Sequence, residues 1–279
     1  MSIELPEALI LARQLGKELP GKTVRSCLLA DVEKLQRIGF VNRDLKAFDR
    51  LIGRKVESVI TRGNVIRVKF DKAMNLILAP EYGGIVLYHP SEETVPKKLH
   101  LRLAFSDGSA LTVRLTGMGV INALRDSELE KSYVYARDFG KVASPLDDDR
   151  FTSESFVGSL AARNIMLKAA LVGKEAVVVG LGNSAFQDIA FRARIHPKKN
   201  VSELGNEKSR ALFDAIGQLI RERLRLGGKE GFIDIYGKKG RYVPAMGPDI
   251  GKICRSCGTA IEKMSVGGGK ACFCPRCQR

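Results

Sequence analysis

The chain has 279 residues, 46 Lys and Arg against 31 Asp and Glu, and an apolar share of 44%. That is room for two or three small domains with a real core, which excludes a disordered chain. No apolar run approaches the roughly 20 residues that cross a bilayer, and no basic-then-apolar stretch opens the chain. A cytoplasmic protein is expected, nucleoid-associated if prokaryotic. Its six cysteines then serve as metal ligands or reduced thiols before disulfides. The charge is unevenly placed: residues 150–279 hold 23 basic against 11 acidic side chains, residues 1–149 hold 23 against 20. A basic half points to a polyanion partner through counterion release, against the plainer reading of a generically basic surface.

In chain order, Leu5, Ala8, Leu9, Ala12, Leu15 and Leu19 recur at helical spacing, with Pro6 near the start and Pro20-Gly21 at the end, which predicts a helix over 5–19. Residues 55–115 read as strands. Val65, Arg67 and Lys69 alternate with Ile66, Val68 and Phe70, and the runs 76–79, 85–88, 99–105 and 110–115 follow, with turns at 81–84 and 106–109. The polar stretch Ala143-Ser144-Pro145-Leu146-Asp147-Asp148-Asp149 is the linker candidate. Helices are expected at 153–171, 183–193, 202–205 and 207–226, the last stopped by Gly227-Gly228. Residues 229–279 are short, Gly-rich and basic. The expected organisation is a β-rich domain over 1–142, a linker over 143–150, a helical domain over 151–228 and a zinc module over 229–279.

Cys254-x-x-Cys257 and Cys274-x-x-Cys277 are 16 residues apart. Each pair on a tight turn aims two thiolates at one point, and two such turns complete a tetrahedral zinc site. With four cysteines no position is left for water, so the zinc is structural. Cys272 falls outside this pattern as a spare thiol, and Cys27 is assigned to the core. The segment Val179-Gly180-Leu181-Gly182-Asn183 precedes a helix, and a Gly-rich turn at a helix start is a natural seat for phosphate. Alone, that turn and His196 would default to ordinary structural roles.

Four blocks in order carry a resemblance over nearly the full length. They are Glu4-Leu5-Pro6-Glu7, Gly180-Leu181-Gly182-Asn183 through Ile195-His196-Pro197, Gly227-Gly228 to Tyr236-Gly237-x-x-Gly240-Arg241-Tyr242, and the finger ending Cys274-Pro275-Arg276-Cys277-Gln278. Together they resemble the formamidopyrimidine-DNA glycosylase/endonuclease VIII family. The resemblance implies an α+β chain: an N-terminal β-sandwich with a flanking helix, then a helix–two-turn–helix bundle and a four-cysteine zinc finger. It implies a monomer that closes on double-stranded damaged or abasic DNA, flips the damaged nucleotide and acts as glycosylase and AP lyase. Asn183 and Gly182 stand in the phosphate-contacting turn. Asn64, Lys198, Lys199, Arg192, Lys238, Lys239, Arg241 and Lys270 are further expected DNA contacts. Asp188 replaces a glutamate.

The chain also departs from that pattern. The family's nucleophile is the amine of an N-terminal proline. Here Ile3 stands in the proline's place relative to Glu4, and removal of Met1 would expose the amine of Ser2, one residue off, up to roughly 3.5 Å away. Asn64 replaces a lysine, Gly269 replaces a phosphate-gripping arginine beside Lys270, and the intercalating region is altered around Thr116–Ile121, where Met118 or Ile121 is either an apolar wedge or a core or turn packing residue. The expected catalytic set is therefore Ser2, Glu4 and Glu7, with Glu4 moving protons; its plainer role is to favour the helix N-terminus. Three functions compete: an altered amine-dependent glycosylase/lyase, a non-catalytic damaged-DNA binder, and an RNA or ribosome binder.

Overall fold

The computed structural model describes residues 2–147, 149–248 and 250–279, and these form two compact units. The first comprises residues up to Gly140 together with Glu230–Gly240. It opens with α1 (Leu5–Glu18) and continues through β1 (Val24–Leu29), α2 (Glu33–Arg37), β2 (Val56–Arg62), β3 (Val65–Phe70), β4 (Met74–Ala79), β5 (Ile85–His89), β6 (Leu101–Phe105), β7 (Ala110–Arg114), β8 (Val120–Arg125) and α3 (Tyr133–Phe139). Two antiparallel sheets result, in the orders β1-β6-β7-β5 and β2-β3-β4-β8. Their apolar faces share one core. Val68, Phe70, Leu76 and Leu78 come from one sheet, Leu101, Leu103, Phe105 and Val113 from the other, and Leu11 and Leu15 of α1 join them. This is the expected sandwich with its flanking helix.

Helix α1 starts with a reciprocal cap. The Glu4 carboxylate accepts the backbone N–H of Glu7, while the Glu7 carboxylate accepts that of Glu4 at 3.2 Å. Both side chains are buried, so this box satisfies helix-start donors that water cannot reach. The plainer reading of Glu4 is thus realised, whatever else the residue does.

The second unit comprises 141–229 and 241–279. The helix expected over 153–171 is two helices, α4 (Ser153–Ala161) and α5 (Leu167–Leu171). They are separated where Leu167 N–H turns to Lys199 O and Met166 pairs with Asn200. Then come α6 (Asn183–Arg192), α7 (Asn206–Arg225) and the hairpin β9 (Glu262–Val266) and β10 (Gly269–Phe273). The linker candidate is anchored rather than free. Ala143 pairs with Val178, Ser144 is buried, and Asp147 accepts from Ser144 N–H at 2.9 Å; its Asp148 lies outside the described residues.

Residues 230–240 differ most from the expected organisation. The sequence groups them with the zinc module, yet they fold into the first unit. Phe232 and Ile235 enter its core, and Ile235 O accepts from Tyr88 N–H at 2.9 Å. Asp234 accepts from Gln14 of α1 at 2.8 Å, and Tyr236 donates to Glu18 at 2.7 Å.

Candidate nucleic-acid interface and N-terminal cavity

In the first unit the segment before α1 runs along the β4–β5 turn. Ile3 N–H donates to Glu81 O at 2.9 Å, and Ser2 pairs with Tyr82 as an antiparallel bridge. Ser2 and Ile3 there line a cavity of about 230 Å³, with Gly83, Gly84, Ile85 and Thr116 on one side and residues 231–233 on another. The Ser2 hydroxyl lies 3.3 Å from a Glu4 carboxylate oxygen. Ser2, Glu4 and Glu7 are therefore brought together. Ile3, in the proline's place, is buried. Met1 lies outside the described residues.

Two large side chains stand in solvent beside this segment. Tyr82 is 57% exposed and Met118 60%, and Tyr82 N–H donates to Met118 O at 2.7 Å. Met118 remains the wedge candidate. Ile121 does not: it is fully buried on β8, pairing with Leu78, because strand alternation turns it into the core. Tyr82 escaped the sequence reading. Its only signal was an aromatic in a polar, Gly-rich turn.

Asn64 is held inside a cluster. Its N–H donates to Asp138 Oδ2 at 2.9 Å, its side-chain amide donates to Glu81 at 3.3 Å, and its carbonyl accepts from Arg137. Its side chain is thus committed within the protein, which argues against the expected DNA contact. Lys238 and Lys239 are exposed on the 230–240 segment of the same unit.

In the second unit α6 begins at Asn183 with Gly182 as its N-cap, after Gly180 turns the chain at φ +83°. Asn183 is exposed, and its amide donates to Lys270 O at 3.2 Å. The start of β10 is thereby tied to the start of α6, a helix end that favours anions. Lys168 of α5 reaches the same place. It is 7% exposed, its Nζ donates to Val266 O at 2.8 Å, and burial pushes its pKa down. A side chain begun at Gly269 would meet Lys168 Nζ at 3.0 Å and Asn183 Oδ1 at 3.8 Å. A lysine from another helix thus occupies the ground that Gly269 vacates, and no local spacing announced it.

Lys198 and Arg241 are exposed, whereas Arg192 is not available. Its guanidinium binds Asp188 at 2.9 Å and Glu222 at 2.7 Å. Asp188 is fully buried and also accepts the Tyr242 hydroxyl. Arg192 is therefore a packing charge, which corrects its assignment as a DNA contact. Lys199 is paired with Glu203 at 2.7 Å. His196 packs edge-on against Phe273, and burial with Lys198 and Lys199 nearby lowers its pKa.

The sulfurs of Cys254, Cys257, Cys274 and Cys277 lie within 4.8 Å of one another. Zn–S bonds of about 2.3 Å at tetrahedral angles need sulfurs roughly 3.8 Å apart. The observed 3.9 Å for Cys254–Cys277 and 3.4 Å for Cys257–Cys274 suit that ion. Gln278, buried, locks the site to the helices by accepting from Cys274 N–H at 2.9 Å and donating to Ile195 O at 3.0 Å. Cys272 is buried outside the ligand set, its N–H held by Gln187 at 2.7 Å. Cys27 packs against the sandwich core, where burial pushes its thiol up to about 12.

A two-sheet sandwich followed by a helix–two-turn–helix unit and a four-cysteine finger defines the class: zinc-finger proteins of DNA-glycosylase architecture. Comparison with known proteins agrees along the whole chain. Residues 3–116 match the formamidopyrimidine-DNA glycosylase N-terminal domain, 142–232 the formamidopyrimidine-DNA glycosylase H2TH domain, and 251–279 the zinc finger found in FPG and IleRS. A formamidopyrimidine-DNA glycosylase of Cytobacillus firmus is 29% identical over 281 residues, covering 99% of each chain. The Fpg of Lactococcus lactis, solved with abasic-site DNA, superposes with TM-score 0.84 at 22% identity over 99% of each chain. MutM (Fpg) of Thermus thermophilus does so with TM-score 0.80 at 23% identity, over 99% of this chain and 98% of that one. The chain belongs to the formamidopyrimidine-DNA glycosylase family, and its finger holds one structural zinc ion. Among the described residues no helix is long and apolar enough to cross a membrane.

Proposed function

We propose that this protein binds duplex DNA at damaged or abasic sites and cuts at the abasic sugar through the amine of Ser2. The observation that carries the reading is the N-terminal cavity, where Ser2 lines the wall and the Glu4 carboxylate lies 3.3 Å from its hydroxyl. With Met1 removed, the Ser2 amine adds to C1′ of the ring-opened sugar and expels water, leaving an imine. On a damaged nucleoside the same attack displaces the base. A carboxylate, Glu4 in this reading, takes a C2′ proton, and the C3′–O bond breaks with departure of the phosphate. Water then hydrolyses the imine and frees the amine. Glu4 can both cap and catalyse, since a carboxylate offers about four acceptor positions.

In the second unit Asn183, Lys168 and Lys270 supply phosphate contacts at the start of α6, with Lys198 and Arg241 as outlying cations. Tyr82 and Met118 are the apolar groups to fill the gap left by a flipped nucleotide. Zinc supplies no chemistry to the reaction. It holds the hairpin that carries Lys270.

A second reading, a damaged-DNA binder without chemistry, draws on the capping box, because that box accounts for Glu4 and Glu7 without catalysis. Borohydride trapping on an abasic-site duplex separates the two. An adduct that disappears when the N-terminus is blocked is the expected result. Tight, salt-dependent binding with neither adduct nor strand cut leaves only the binder. Asn183→Ala is expected to weaken DNA binding; an effect confined to RNA would reject both DNA readings.

A further inference from the structure

A single arginine ties together three segments around the N-terminal cavity. Arg137, on α3, sends Nη1 to Glu81 at 2.7 Å and Nε to Asp138 at 2.6 Å, and donates to Asn64. Asp138 is 1% exposed and accepts the Asn64 N–H at 2.9 Å. Its approach requires Gly63, where a Cβ would lie 2.3 Å from Asp138 Oδ2 and where φ is +59°. Glu81 is the link to the site. Its carbonyl holds Ile3 N–H at 2.9 Å, its neighbour Tyr82 pairs with Ser2, and Gly83 and Gly84 line the cavity. The guanidinium thus fastens the β2–β3 turn to the β4–β5 turn, and the backbone of the β4–β5 turn in turn holds the N-terminal segment.

The charges around Ser2 make that guanidinium matter electrically. Glu4, the N-cap of α1, has a carboxylate oxygen 3.3 Å from the Ser2 hydroxyl, Glu7 of α1 shares its capping box, Glu81 belongs to the turn whose backbone bonds Ile3, and Asp138 accepts from Asn64. Arg62 of β2 donates to Asp138 O. The 231–233 wall of the cavity brings no charge. An α-amine has an ordinary pKa of about 7.7–8.0 and attacks only when neutral. Carboxylates raise that pKa; a cation pairing one of them offsets the rise.

We propose that Arg137 is a positioning residue for amine chemistry at the N-terminus: it clamps the turn that seats Ser2 and Ile3, and its charge keeps the Ser2 amine more nearly neutral. This rests on the Ser2 reading above, but it is tested without DNA. Full-length protein with a mass-confirmed Ser2 N-terminus is reductively methylated across about pH 6 to 9, and the modified peptide is followed by mass spectrometry. With Glu81 left without its cation, Arg137→Met is expected to move the midpoint for the amine up, slowing modification near neutrality by about threefold for each half pH unit of that rise. Arg137→Lys is expected to restore the midpoint. The Ile3 amide, bonded to Glu81 O, is expected to exchange its hydrogen faster in Arg137→Met.

A wild-type midpoint in Arg137→Met overturns the electrical role. An unchanged Ile3 exchange rate overturns the clamp. Equal shifts in Met and Lys variants show that shape rather than charge acts, and overturn the tuning. If wild-type protein gives no adduct with abasic DNA, the Ser2 reading fails, and these two measurements still decide Arg137.

Discussion

Lys168→Met removes one charge while preserving the length of the stem. In the folded protein Lys168 Nζ sits against Val266 O, over the Phe186 ring at 5.9 Å, in the space a side chain at Gly269 would enter. Two effects on stability oppose each other. Val266 O loses its donor, at about 1–3 kcal/mol. A buried cation is also removed, whose pKa lies below its ordinary value of 10.5 because burial disfavours the charged form. The net loss expected at neutral pH is about 1 kcal/mol or less. The sign with pH follows from the lowered pKa. Between the folded and unfolded pKa values the unfolded chain binds more protons, so wild-type stability rises with pH there, and the variant lacks that rise.

DNA binding should change more than stability. Loss of one phosphate contact lowers the slope of log K against log salt by about 0.9. Between about 50 and 200 mM salt, wild-type affinity should then fall about 3.5-fold more than that of the variant. Fluorescence anisotropy on an abasic duplex, with zinc content and thermal melting as controls, reads all of this. A variant with full zinc and an unchanged salt slope would falsify the phosphate role. It would leave Lys168 as a strut between α5 and the hairpin.

Asp188→Ala is expected to cost about 1–3 kcal/mol in denaturant unfolding, because the buried Tyr242 hydroxyl and Arg192 Nε lose their acceptor while Arg192 keeps Glu222; no measurable loss would refute the network's importance. Cys274→Ser should abolish stoichiometric zinc and, with it, DNA binding, since the finger's small core is built largely of cysteines; metal analysis with anisotropy reads both, and retained zinc would reject the four-ligand assignment. For Asp107, burial pushes the carboxyl up, but hydrogen bonds from Lys22 and Ser109 outweigh it and hold the group at about 2, below its ordinary value of 3.8. Its stabilisation is therefore present above about 3.8 and is lost as pH falls through about 2. Asp107→Asn should cost no more than about 1 kcal/mol at neutral pH, since the pair is solvent-accessible, and progressively less as pH falls through about 2; denaturant unfolding across that range reads the difference.

What the sequence revealed follows from how local each cause is. Helix α1 and the strands after residue 55 are written in apolar periodicity, and the zinc site in two four-residue turns. The turn before Asn183 is equally local. The features that were hidden all depend on distant partners. Lys168 lies 101 positions before Gly269, and nothing in α5 distinguishes it from a surface lysine until the finger folds over it. Residues 230–240 resemble a basic, Gly-rich stretch of the finger. Their docking depends on Phe232 and Ile235 finding the sandwich core and on Gln14 meeting Asp234.

Glu4 and Glu7 show a different limit. Their spacing specifies a capping box, and the resemblance aligns the same two residues with glutamates of the family, so one pair fits both patterns. The structure places both in the box and Glu4 also beside Ser2. Capping alone would be met by other residues: Ser, Thr, Asp or Asn at position 4 with Gln at position 7 cap as well. A Glu4→Ser, Glu7→Gln protein should therefore keep most of its helix stability, within about 1 kcal/mol by thermal melting. If it also traps abasic DNA at the wild-type rate, the carboxylates serve the fold alone. Loss of trapping with the melting temperature preserved would assign them to proton transfer.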